Sequence, residues 1–286
     1  MRHSDAAGRS SPYVGRRSDG SVTPMEVGRL TGAFDLVTVA QLDVIEQARS
    51  RCDRLVARVH TDEQVRRIEG LAPVMPLDER VSLVAALRAV DAVDVADDDH
   101  LGASPERGPA YVFTDVASAA SGEVLRPRAE GRALPGVPDL LVRTGASDPG
   151  VRTGYVPGGW DMFHIGHLLI LERARQQCER LVVGVVTDEA LVAAKGRPPM
   201  VPFAQRAAVV AAIGLVDEVV ADVSSNKLLA WERVGFDVLF KGDDWRGTPK
   251  GDRLETEMAT VGVELRYFPY TPHTSSTALR SVLDAR

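Results

Sequence analysis

The sequence predicts an α/β protein of two tandem domains, each a doubly wound parallel sheet, and three observations carry that prediction. Runs such as "RLVVGVVTD" and "FDVLFKGDD" have the β-branched composition of strands buried on both faces. Stretches of helical spacing, "HLLILERARQQC" and "FAQRAAVVAAIGLV", lie among them, and strands alternating with helices imply a parallel sheet. The pattern also occurs twice. With residues 28–91 laid under 154–217 no gap is needed, and roughly 24 of about 64 positions are identical, far more than shared composition would give. The matches fall at apolar and turn positions alike, so the copies share an architecture.

A chain of 286 residues has room for one domain per copy. Its net charge of −6 gives no electrostatic footprint for nucleic acid or an anionic membrane and leaves a small anionic ligand open. The longest apolar run, "AAVVAAIGLV" from Ala207, reaches about half the length of a bilayer-spanning helix, so no membrane insertion is expected. Residues 1–24, rich in Ser, Gly and Arg, lack a secretory apolar stretch and read as a disordered leader. Cys52 and Cys178 match between the copies at the ends of helical patterns, which suits small buried side chains in a reducing, cytoplasmic compartment.

Copy one spans 25–147. After Asp91 it diverges into a Gly, Pro, Ala and charge-rich stretch that reads as an insertion at about 95–135, before "PDLLVRTG" echoes the "FDVLFKGD" of copy two as a closing strand. Copy two spans 150–286, after a linker too short to let the domains separate. Its elements run in order: "TGYVPGG" a strand, "HLLILERARQQC" a helix, "RLVVGVVTD" a strand, "FAQRAAVVAAIGLV" a helix, "DEVVAD" a short strand, "FDVLFKGDD" a buried strand. The late "TSSTALRSVLDA" opens a helix with capping residues. Ligands of such sheets bind beyond the carboxyl ends of the strands, where the loops bearing His164, Asp188 and Asp243 fall.

The copies differ most in one place. "GGWDMFHIGHLLILERA" from Gly158 aligns with "GAFDLVTVAQLDVIEQA" from Gly32, so His164, Gly166 and His167 stand where copy one has Thr38, Ala40 and Gln41. The pair lies where a strand turns into a helix, and free backbone donors and the positive dipole end favour an anion there. Two imidazoles one turn apart add donors, and Gly166 lets a ligand approach the backbone. A phosphate site follows. Capped helix starts and a partial metal site remain as other readings, although zinc would require His273 to be brought in by the fold.

The frame "GGWDMFHIGH", then "VVTDE", "KGDDW" from Lys241 and "TSST" from Thr274, resembles nucleotidyltransferases of the cytidylyltransferase type. Among these the sequence is most similar to the glycerol-3-phosphate enzymes, with the tandem-repeat ethanolamine-phosphate enzymes as relatives. The resemblance covers 152–280, and copy one follows it more weakly. It implies Rossmann-like domains and transfer of CMP from CTP to a small phosphate ester, with pyrophosphate released and Mg²⁺ accompanying the triphosphate. His164, His167 and Lys195, on a Gly- and Pro-rich loop, would act on the phosphates, and Gly158, Gly159, Asp161, Gly166, Gly242, Asp243, Asp244, Thr271, Ser275, Ser276 and Thr277 would hold the nucleotide. Arg206, Lys241 and Trp245 would face the acceptor, and Asp161 would sit near the metal.

Plainer roles stand beside these. Arg206 recurs as Arg80 and Asp161 as Asp35 in the copy that lacks the histidine pair, which suits an ion pair and a turn-holding carboxylate; the serines and threonine could be ordinary caps. The sequence also departs from the glycerol-3-phosphate pattern: Tyr270 replaces an arginine, His273 a glycine, and Gly214 an arginine that copy one keeps as Arg88. Heptose-phosphate adenylyltransferases share the histidine frame, so ATP with a sugar phosphate such as heptose-1-phosphate is the alternative, and a non-catalytic nucleotide-binding scaffold is a third. Without the histidines, copy one is expected to be a pseudoenzyme domain that packs on copy two as an intramolecular pseudo-dimer, with further oligomers open.

Overall fold

Leu181, Val182, Val183 and Val185 are fully buried in the strand Arg180–Val186, as a strand covered on both faces requires. The computed structural model describes residues 14–16, 22–24, 27–96, 110–114, 123–128, 134, 136, 139–140, 150–269 and 274–285. Copy two contributes Thr153–Gly158 (β8), Arg180–Val186 (β9), Glu218–Asp222 (β10), Val238–Gly242 (β11) and Glu264–Phe268 (β12), all parallel, in the spatial order β10-β9-β8-β11-β12. The chain order therefore reverses between β8 and β11, and the crevice beyond their carboxyl ends is where such sheets bind ligands. Copy two's helices are Ile165–Arg175 (α4), Asp188–Lys195 (α5), Phe203–Ala212 (α6), Lys227–Val234 (α7), Pro249–Ala259 (α8) and Ser276–Asp284 (α9).

Copy one repeats this plan with Val27–Gly32 (β3), Arg54–Val59 (β4), Ala92–Val95 (β5), Ala110–Thr114 (β6) and Glu123–Val124 (β7), in the order β5-β4-β3-β6-β7. Its helices are Val39–Arg49 (α1), Asp62–Glu69 (α2) and Leu77–Ala85 (α3). Two α/β, Rossmann-like sheets thus stand in tandem. The stretch expected as an insertion instead supplies β6 and β7, and β6 is the strand that pairs with β3 as β11 pairs with β8. Of "PDLLVRTG", expected as the closing strand, Asp139 and Leu140 are described and are helical. Within the expected leader, Val14–Arg16 (β1) and Val22–Pro24 (β2) pair antiparallel. Both cysteines are free thiols, each donating to a helix carbonyl four residues back.

The copies meet across a pseudo-two-fold seam. Arg88 N donates to Ala212 O and Gly214 N to Ala86 O, both at 2.8 Å, around the antiparallel bridge Leu87–Ile213. These are corresponding residues bonded reciprocally, the signature of an isologous contact. Helix α1 packs on α6 and α3 on α4, and the two cores merge into one apolar cluster. Arg88 breaks the symmetry, donating to the carbonyls of Ile213 and Val216, while Gly214 has no side chain to return the contact. Between the copies, Leu36, Val37, Met162, Phe163, Val209 and Leu283 border an apolar cavity of about 200 Å³. Among the described residues no helix is long and apolar enough to cross a membrane.

Candidate active site

The turn between β8 and α4 sets the site. Trp160 and Met162 take left-handed backbone, φ 57° and 50°, as do Phe34 and Leu36 at the matching positions of copy one. Such residues cost on the order of 1–3 kcal/mol each and persist only where the surroundings hold them. Here the Trp160 indole, buried, donates to Gly184 O at 2.9 Å, and the Asp161 carboxylate accepts Met200 N and Val201 N, each at 2.9 Å. Asp35 accepts Val74 N and Met75 N in the same way. Asp161 is therefore the clasp of the turn, and the metal-facing role carried by the resemblance receives no support from its geometry.

That turn delivers His164 to the N-cap of α4. Its Nδ1 accepts Gly166 N at 3.1 Å, and Nε2 lies 3.2 Å from Ser276 Oγ, which donates to Asp161 O at 2.7 Å. With the hydroxyl proton spent on Asp161, Nε2 must carry the imidazole proton, so the network selects the neutral Nε2–H tautomer. The His167 ring stacks on His164 with centroids 3.9 Å apart, and Trp160 and Phe163 flank it. A β-carbon on Gly166 would stand 3.0 Å from the His164 ring, so glycine is what lets the ring fold back over its own helix. His167 is half-buried, but its Nδ1 is sealed from solvent and has no partner among the described residues.

Copy one is built differently at these positions. Thr38 and Gln41, at the two histidine positions, form a capping box: Gln41 N donates to Thr38 Oγ1 at 3.3 Å and Thr38 N to Gln41 Oε1 at 3.2 Å. Two of the helix's orphan donors are thereby met by its own side chains, which leaves fewer for an anion.

Burial holds both imidazoles below their ordinary value, His164 at about 4 and His167 well down, the latter helped by His164 and by the charge of Lys195. The unfolded chain binds protons at these groups below about pH 6.5 and the folded chain does not, so their contribution to stability is complete above that pH. It is lost as pH falls towards about 4. Denaturant unfolding from pH 7 to 4.5 is expected to show stability falling by about 1 kcal/mol per pH unit for each such histidine, and His164→Ala to flatten the curve. Parallel curves for the two proteins would refute the assignment.

The other predicted residues fall into two groups. Around the crevice, Lys241 is the last residue but one of β11, with Nζ 4.1 Å from the centre of the Trp245 ring, and burial and the nearby Lys227 hold its ammonium down to about 8. Lys227 is itself paired with Asp222 at 2.6 Å. Lys195, expected on a loop, is the exposed last residue of α5, capped by Gly196. Gly242 leads into a single tight turn, Asp243–Trp245, in which both aspartates are exposed; a β-carbon at Gly242 would strike Asp244 Oδ1 at 2.6 Å. Ser275 caps α9 through Ala278 N, Ser276 bonds as above, and Thr277 is exposed. The N-termini of α4 and α9 converge, with Thr274 O 3.6 Å from a β-carbon placed on Gly166.

Arg206, predicted to face the acceptor, is instead a buried strut: Nε donates to Val201 O at 2.9 Å, Nη1 to Gly159 O, and Nη2 to Asp188 Oδ1 at 2.6 Å. Arg80 makes the same three bonds, to Met75 O, Ala33 O and Asp62. Gly158 leaves room for the Trp160 indole, which a β-carbon would meet at 2.7 Å. Thr271 lies outside the described residues, as do Tyr270 and His273. Sequence reasoning missed Arg280, which approaches Asp161 and Pro198 O, and Glu79 of copy one, which accepts from Thr274. Among the described residues no three His, Cys, Asp or Glu side chains converge to hold a metal.

A family model described as cytidylyltransferase-like matches residues 30–121 and 155–282. The chain is 30% identical over 222 residues to the bifunctional protein HldE of Gluconacetobacter diazotrophicus, covering 73% of this chain and 46% of that protein. It is 38% identical over 104 residues to ethanolamine-phosphate cytidylyltransferase of Arabidopsis thaliana, covering 34% of this chain and 24% of that one. The chain thus spans less than half the length of these relatives. The crystal structure of the lipopolysaccharide core biosynthesis protein from Thermoplasma volcanium aligns over 44% of this chain and 100% of that one, with TM-score 0.38 and 19% identity.

Proposed function

This chain belongs to the cytidylyltransferase-like family, and from that premise we propose that copy two transfers a nucleotidyl group from a nucleoside triphosphate to a small phosphate ester, releasing pyrophosphate. CTP is the favoured donor and glycerol-3-phosphate, or a similar polyol or amino-alcohol phosphate, the favoured acceptor. One observation carries the reading: a stacked pair of uncharged imidazoles at a helix N-terminus, at the reversal point of a parallel sheet, present in one copy and replaced by a capping box in the other.

In such a transfer an acceptor phosphate oxygen forms a bond to the α-phosphorus as the bond to the bridging oxygen of pyrophosphate breaks, and that oxygen leaves with the electron pair. The nucleotidyl group passes directly to the acceptor, and no residue carries it covalently. The protein orients the phosphates and stabilises the charge that gathers on the equatorial oxygens. In this reading the two imidazoles and the amides at the start of α4 take that role. Lys195 and Lys241 supply cations at the rim, where a phosphate would raise the proton affinity of Lys241 from about 8 and hold it charged. The Asp161 carboxylate is committed to the turn, so the donor set does not fit a resident Mg²⁺; the ion is expected to arrive on the triphosphate as part of the substrate.

Copy one is read as a built-in dimer partner that has given up chemistry. A second reading, ATP with a sugar phosphate such as heptose-1-phosphate, draws on the histidine frame shared with the heptose-phosphate adenylyltransferases and on the missing arginine at Tyr270. Pyrophosphate release with CTP or ATP and Mg²⁺, across glycerol-3-phosphate, phosphoethanolamine and heptose-1-phosphate, tests both readings. Turnover with one pairing names donor and acceptor together. Silence across the panel with nucleotide still bound would favour the scaffold.

A further inference from the structure

Glu79 lies in the first turn of α3 in copy one, yet its carboxylate ends in copy two. Oε1 accepts the Thr274 hydroxyl at 2.8 Å and Thr274 N at 3.4 Å. The residue is 8% exposed, and Oε2 is sealed from solvent with no partner among the described residues. A carboxylate buried with one oxygen unsatisfied is unfavourable by itself, so stability alone does not account for it. The matching residue of copy two, Gln205, borders the apolar cavity between the copies instead. Thr274 stands two residues before Ser276, the hydroxyl that joins Asp161 O to His164 Nε2, and its carbonyl lies over the start of α4.

We propose that Glu79 is a positioning residue supplied by the copy that lacks the histidine pair: by clamping Thr274 it fixes the loop that carries Ser276, and through Ser276 the orientation of the His164 ring. The kinetic part rests on the nucleotidyl-transfer reading; the contact itself does not. Copy one is then a working part of the site rather than only a packing surface.

The test uses the full chain with Glu79→Ala, Glu79→Gln, Thr274→Val and the Glu79→Ala, Thr274→Val double variant. Amide hydrogen exchange over 274–284 is expected to rise in Glu79→Ala while the seam at 86–88 and 212–214 keeps its protection. With the donor and acceptor found by the panel, kcat is expected to drop about tenfold in Glu79→Ala with KM nearly unchanged. Glu79→Gln, which keeps an acceptor for Thr274, is expected to restore most of it. The double variant is expected to be no worse than the poorer single one, as for two residues acting through one contact. Unchanged exchange at 274–284 in Glu79→Ala would overturn the proposal whether or not turnover is found. So would equal losses in the alanine and glutamine variants, or losses that multiply in the double variant. Absence of turnover in the unaltered protein would sink the transfer reading alone and leave the exchange result to decide the clamp.

Discussion

Replacing His164 by alanine is expected to lower kcat for nucleotidyl transfer by on the order of 10²–10³-fold, the effect of deleting one preorganised donor aimed at developing charge. His167→Ala is expected to fall in the same range. Because the rings stack at 3.9 Å and share one helix start, the double variant is expected to lose less than the product of the two. Nucleotide affinity is expected to change far less than kcat, since the α4 amides survive each substitution. Ser276→Ala offers a control: it keeps both rings and the Gly166 N bond to His164 Nδ1 but removes the partner that steadies Nε2, so an intermediate loss is expected. Single-turnover measurements beside nucleotide titrations separate the two quantities. A loss confined to KM would mean that the rings bind substrate and transition state equally well, and the charge-stabilising role would fall.

The second large effect is on stability. Arg206→Met is expected to destabilise copy two by about 3 kcal/mol, the lower end for breaking a buried pair, because Asp188 is 38% exposed on its side chain and can rehydrate. Two carbonyls, Val201 O and Gly159 O, lose their donor as well. Arg80→Met is expected to cost copy one a similar amount, since the same three bonds are made where the histidine pair is absent. Chemical denaturation of both variants reads this directly. A protein that kept its stability while losing acceptor affinity would return Arg206 to the substrate-facing role that the resemblance implied.

The parts of this fold that sequence made legible are those with a local signature. The strand-turn-helix of copy two, its buried β-branched strands and the histidine pair each reside in a dozen residues whose spacing carries the information. Strand β6 was hidden because "AYVF" is short and its Gly, Pro and Ala flanks resemble a loop; its membership in the sheet depends on pairing with Val27–Thr31 far upstream. Asp161 and Arg206 were ambiguous for a different reason: a carboxylate and a guanidinium suit a ligand and a backbone equally well. The geometry of Asp35 and Arg80 decides between them, because bonds made identically in both copies serve what the copies share, their turn. Glu79 had no local signal, since its partner lies 195 residues away on the other copy.

The reciprocal bonds between Arg88 and Ala212, and between Gly214 and Ala86, have a consequence for how the two halves have diverged. In an assembly of separate identical subunits, each chain must keep both its site and its half of the contact, and the pairing weakens on dilution. Covalent tethering replaces subunit concentration with an effective concentration set by the linker, on the order of millimolar for short flexible tethers, so the contact persists at any dilution. Sequence drift in one half is then no longer copied into the other. Arg88 without a counterpart at position 214, and a capping box opposite a histidine pair, are differences that an identical-subunit assembly could not have kept.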